Sequence, residues 1–146
     1  MFYPNLSDYQ YNLKAPLEKV KNIGWLEKPH PFNEGLTDPL FLKKLFNIIK
    51  YKEFNIYRGV QACYYCNHHG FIYGFSDKDK IFLGHGEIWL PSITKEIIYA
   101  SPTLMYHYIE KHHYLPPQDY IDSVMAFDLN SDWDGEKMHD KLCSEQ

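Results

Sequence analysis

The sequence predicts an α+β domain in which a small antiparallel sheet carries helices packed on it. Two observations lead there. Two segments, each with a proline at the helical start and apolar residues at helical spacing, flank a stretch of short β-like runs. The order is helix, strands, helix, helix, without the alternation that builds parallel βαβ units.

The first fourteen residues place four Tyr or Phe side chains among Asn, Asp and Gln with no helical or strand period, and read as an arm laid over the domain. From Pro16 a short helix is expected, with Leu17, Val20 and Ile23 on one face and Gly24 as its stop. The segment from Gly24 to Gly35 reads as rigid loop. Asp38-Pro39 supplies an N-cap and a first-turn proline, and Leu42, Leu45, Phe46 and Ile49 follow at i, i+3, i+4 and i+7, so a helix is predicted over roughly 39–51. Four β-like runs come next, FNIYR, GFIYGF, GEIWL and EIIYA, separated by Gly, Asp, Asn and Pro. Ser101-Pro102 is expected to open a helix bearing Leu104, Met105, Tyr108, Ile109 and His112 within half its circumference. Pro116-Pro117 ends it, and a last helix buries Tyr120, Ile121, Val124 and Met125. Residues 1–128 are thus expected to form a single domain, and 129–146 an acidic, flexible tail.

With 146 residues the chain suits one core. Fifteen basic residues against nineteen acidic ones give a net charge of −4, and Arg58 stands alone among lysines. A phosphate backbone is therefore disfavoured as the main partner, and a nucleic-acid-binding module is a minor alternative. No apolar stretch reaches bilayer length and the opening residues lack the apolar core of a signal peptide, so a cytoplasmic site with no membrane partner is expected. Thirteen Tyr, nine Phe and three Trp can build a core, a recognition surface, or both.

Chemistry concentrates in one place. Cys63 and Cys66 form a C-x2-C step whose thiolates can face one Zn²⁺ from a tight turn, with backbone amides also facing the sulfurs. Six of the eight histidines follow between positions 68 and 113. The strongest completion is His107 with His112, although positions five apart on a regular helix diverge by about 140°, so the helix must loosen or tighten after Tyr108. A knuckle, a hairpin and a helix with two histidines would form a finger or treble-clef-like unit. Four protein ligands leave no open coordination position, which favours a structural Zn²⁺. His68, His69, His85 and His113 are alternative ligands, and the C-x2-C step also reads as a redox dithiol or as two buried, inert thiols.

Glu87, on a strand near His85, would serve as general base beside metal-bound water in a zinc-dependent hydrolase; its plainer role is an ion pair with Arg58. No other catalytic motif is visible. Cys143 lies in the tail and carries no assigned role.

The segments IGWLEKPHPFNEG, IYRGVQACYYC, LGHGEIWL and YASPTLMYHYIEKHHYLPPQDYIDSV resemble a widespread bacterial domain family of uncharacterised function. The resemblance places Cys63 and Cys66 on that family's cysteine pair and His107 and His112, not His113, on its histidine positions. This chain departs from the pattern at His85 and in its longer acidic tail. The resemblance implies a fold and a metal more than an activity. Because small proteins of this kind occur in loci carrying polymorphic toxins, it also implies an immunity protein whose partner is a toxin or effector protein.

Overall fold

Asp38 opens the first long helix as its spacing predicts. In the computed structural model, which describes residues 1–55, 59–66 and 70–146, the Asp38 side chain accepts from the Leu40 amide at 2.8 Å and α1 runs over Pro39–Lys52. Its buried face is Phe41, Leu45, Phe46, Ile48 and Ile49; Leu42 is only half-buried. The stripe extends further to one side than the predicted spacing implies, by Phe41 and Ile48, because α1 is covered by both helices and strands.

Residues 17–22, expected to be helical, form a strand instead. Strand β1 is Asp8–Tyr9 and β2 is Leu17–Asn22. Leu17, Val20 and Ile23 satisfy a helical period, but Val20 and Asn22 are the positions β2 buries, at the period of a strand. Tertiary pairing decides the outcome: β2 lies parallel to β6 (Ile98–Pro102), with Val20 opposite Ile98 and Asn22 opposite Ala100. Gly24 does end the element. Its φ of +85° suits glycine, and a Cβ there would meet Met105 Sδ at 2.5 Å.

The remaining strands are β3 (Ile72–Ser76), β4 (Asp79–Leu83) and β5 (Glu87–Pro91). Strands β3 and β4 pair as a separate hairpin, and the larger sheet has the order β1-β2-β6-β5. Strand β4 is not among the predicted runs, since two of the five residues of DKIFL are charged and only Leu83 is fully buried. Of FNIYR, Phe54 makes a single bridge to Glu87, and residues 56–58 lie outside the described residues.

Ser101-Pro102 does not cap a helix; both residues complete β6, where Pro102 stands opposite Glu87. Helix α2 begins later, at Met105–His112, and α3 follows at Gln118–Ala126. Tyr120 and Val124 are buried in α3, whereas Met125 is exposed. In the C-terminal segment expected to be loose, Gly135–Ser144 form α4, capped by Asp134 accepting from the Lys137 amide at 3.1 Å. Met138 and Leu142 of α4 pack on a cluster of Tyr9, Trp25, Phe54 and Trp89.

The chain start is indeed an arm over the domain. Leu6 N–H donates to Asn22 O at 2.7 Å, and Asn5 donates to the Tyr114 hydroxyl at 2.8 Å while accepting from Gly24 N–H. Two apolar clusters result, one among α1, α2, α3 and the sheet, and the other under the arm and α4. Among the described residues no helix is long and apolar enough to cross a membrane.

Candidate metal centre

Tyr64 and Tyr65 make the turn between the two cysteines, and the Tyr65 and Cys66 backbone amides hydrogen-bond the Cys63 sulfur. The turn therefore presents two backbone N–H groups to the sulfur that a bound metal ion would hold as a thiolate. Cys63 is buried and Cys66 half-buried.

The histidines reach it because α2 widens at its end. His113 N–H donates to the carbonyl of Tyr108, five residues back, and Tyr114 N–H donates to the same oxygen at 3.1 Å. A turn of this π type advances roughly 80° per residue, so it narrows the divergence between the two histidines at the helix end. His113 takes the left-handed conformation at φ 58°, so the chain leaves the helix there and its ring is not part of the cluster.

The donor atoms of Cys63, Cys66, His107 and His112 consequently lie within 4.8 Å of one another. Cys66 Sγ is 3.1 Å from His107 Nε2 and 3.2 Å from His112 Nε2, and Cys63 Sγ is 3.4 Å from His112 Nε2. Tetrahedral Zn²⁺ with ordinary bond lengths would set S···N at about 3.5 Å. The donor set fits a metal ion of that size and softness, with two thiolates and two Nε2 imidazoles.

Aromatic rings enclose the cluster. Tyr65 stands edge-on to Tyr108 at 5.9 Å and packs on His112 at 5.7 Å, and Phe32 closes over Tyr65 at 5.3 Å. Burial pushes the Cys63 thiol up to about 11. Burial also holds His112 below the usual histidine range, with further lowering from His113 and Lys28. A bound dication would reverse the preference at sulfur, replacing protons by metal.

Glu87 belongs to a different place. Its fully buried carboxylate accepts from Tyr9 OH at 2.7 Å and Trp89 Nε1 at 2.8 Å on one oxygen, and from Asn55 Nδ2 at 3.1 Å on the other. It is absent from the donor cluster. Arg58, its expected partner, and the alternative ligands His68 and His69 lie outside the described residues. His85 faces Glu53 at 3.4 Å and packs on Phe82, apart from the metal donors. Cys143 lies 3.7 Å from His139 on α4. Sequence reasoning missed Tyr9 and Asn55 as holders of Glu87, and no local signal marks a tyrosine 78 positions away.

The profile of a family described as Domain of unknown function (DUF7919) matches residues 1–125. The chain belongs to that family. All four donors fall within the DUF7919 region, and α4 falls beyond it. Neither a curated protein nor a solved structure matches the chain.

Proposed function

We propose that this DUF7919 protein is a non-catalytic binding protein stabilised by one structural Zn²⁺ on Cys63, Cys66, His107 and His112. The observation that carries the reading is the closed donor set: four protein ligands, two of them thiols, converge from a knuckle and a helix end. Such a set leaves no coordination position for water or substrate, and it ties segments more than forty positions apart. Elemental analysis of protein purified without added metal tests it, with one zinc per chain expected and a content near zero overturning it.

The binding partner on this reading is a protein, a toxin or effector neutralised in the bacterial cytoplasm. Support comes from the net charge of −4, the single arginine and the tyrosine excess, which suit association with a basic protein surface better than with nucleic acid. Co-expression with the product of the neighbouring gene is the test; protection from its toxicity is expected, and neither complex nor protection overturns the immunity role. The hydrolase alternative asks Glu87 to act on metal-bound water. Its carboxylate is already engaged by Tyr9, Trp89 and Asn55, which argues for a structural role.

A further inference from the structure

The groove between the β5–β6 turn, the end of α3 and the start of α4 is a built cavity of about 440 Å³. Its lining is mostly apolar, with Ile97 from the β5–β6 turn, Phe127 from the end of α3, and Trp133 and Met138 from the segment that follows, interrupted by Ser123 and Ser131. The Trp133 wall is held in place rather than free to collapse. Its indole N–H donates to Trp89 O at 2.8 Å, and its carbonyl accepts from Lys52 Nζ at 2.8 Å.

Charge is distributed unevenly around the rim. Lys95 stands on the turn side, and Asp128 and Asp132 stand on the tail side. All three are exposed, and none of them has an ion pair among the described residues. The wall that carries the aspartates runs on through Asp134 and Glu136 with no basic residue from 126 to 136. Ile93, 54% exposed, adds an apolar side chain to the lining.

We infer that this groove is a binding site for a basic peptide segment of a partner protein. One apolar side chain fills the cavity, a flanking Lys or Arg faces Asp128 and Asp132, and Lys95 takes a backbone carbonyl of the same segment. The volume suits one large aliphatic or aromatic side chain with its neighbours, and the pre-set indole lowers the ordering cost of closing on it. An apolar anchor inside a charged rim is the arrangement in which the anchor supplies affinity and the rim supplies selectivity. Asp128, Asp132, Trp133 and Met138 lie beyond residue 125, where the DUF7919 match ends, whereas Ile93, Lys95 and Ile97 lie within it. This inference rests on the binding role proposed above and names where that binding occurs.

The test is titration of the full, metal-loaded chain with three blocked pentapeptides, Gly-Lys-Phe-Lys-Gly, Gly-Glu-Phe-Glu-Gly and Gly-Lys-Ser-Lys-Gly, followed by NMR of the isoleucine methyls and the Trp133 indole. Saturable shifts at Ile93, Ile97 and Trp133 are expected with the first peptide, binding about tenfold weaker or more with the second, and none with the third. Asp132→Lys, at an exposed position, should weaken the first peptide about fivefold while leaving the methyl spectrum of the free protein intact. No shift at these residues with the first peptide at millimolar concentration, or equal binding of the basic and acidic peptides, overturns the inference. The co-expression result is read separately: a protective partner that does not touch Ile93 or Trp133 leaves the immunity role standing and removes this groove from it.

Discussion

His113 N–H donates to the carbonyl of Tyr108, five residues earlier, so α2 ends in a wide turn directly after His112, and His107 and His112 both reach the donor cluster from this helix end. A regular α2 would bond His113 to Ile109 and aim the two imidazoles about 140° apart. The distortion is placed where the chain must leave the helix, with His113 left-handed and Pro116-Pro117 following.

Removing the metal is expected to loosen this corner first. A strong chelator should lower the melting temperature by about 10 °C or more, since structural zinc binding is coupled to folding. Differential scanning calorimetry with and without chelator checks this, and equal melting curves would count against a structural ion.

Single ligand changes should separate metal loss from general damage. Cys63→Ser and His107→Asn are each expected to reduce bound zinc well below one per chain and to cost on the order of 3 kcal/mol or more. His113→Asn, outside the donor cluster, should retain zinc. Metal content and denaturant unfolding measured on the same preparations give the answer.

The buried carboxylate of Glu87 should prove structural. Tyr9→Phe removes a donor to Oε1 and is expected to cost about 1–3 kcal/mol, with zinc content unchanged. A drop in zinc content in this variant would tie Glu87 to the metal after all.

Glu53 should make stability fall with rising pH. Burial raises its carboxyl from 4.5 to about 7. The folded protein then holds a proton that the unfolded chain releases, so the contribution of Glu53 is fully present below about 4.5 and is lost as pH rises through about 7. Its Oε1 is buried 3.4 Å from His85 Nε2, whose own pKa burial lowers and whose titration acts in the opposite direction. Glu53→Gln should therefore stabilise the protein at pH 8 relative to the parent and flatten the decline between pH 5 and 8, measured by urea unfolding across that range.

The C-terminal helix should be part of the folded unit. Stopping the chain after Asp134 uncovers Tyr9, Phe54 and Trp89, against which Met138, His139 and Leu142 pack. A melting temperature lower by several degrees and binding of an apolar dye are expected. An unchanged melting curve would show that α4 adds nothing to the fold.

By itself the sequence determined what local chemistry can specify. Asp38-Pro39 capped α1, the spacing of Leu45, Phe46 and Ile49 set its buried face, and Cys63, Cys66, His107 and His112 were recognisable as a donor set by residue type and interval. Those signals survive because a cap, a helical stripe and a ligand knuckle act over a few residues. Tertiary structure decided the rest. Leu17–Asn22 became a strand because β6 offered a parallel partner nearly eighty positions away, and Ser101-Pro102 were drawn into that strand instead of capping a helix. The polar composition of the tail concealed α4, whose few apolar residues find a surface built from Tyr9, Phe54 and Trp89 only once the arm and sheet have assembled. In each case a local preference worth a few tenths of a kcal/mol per residue, roughly, yielded to burial against segments distant in the chain.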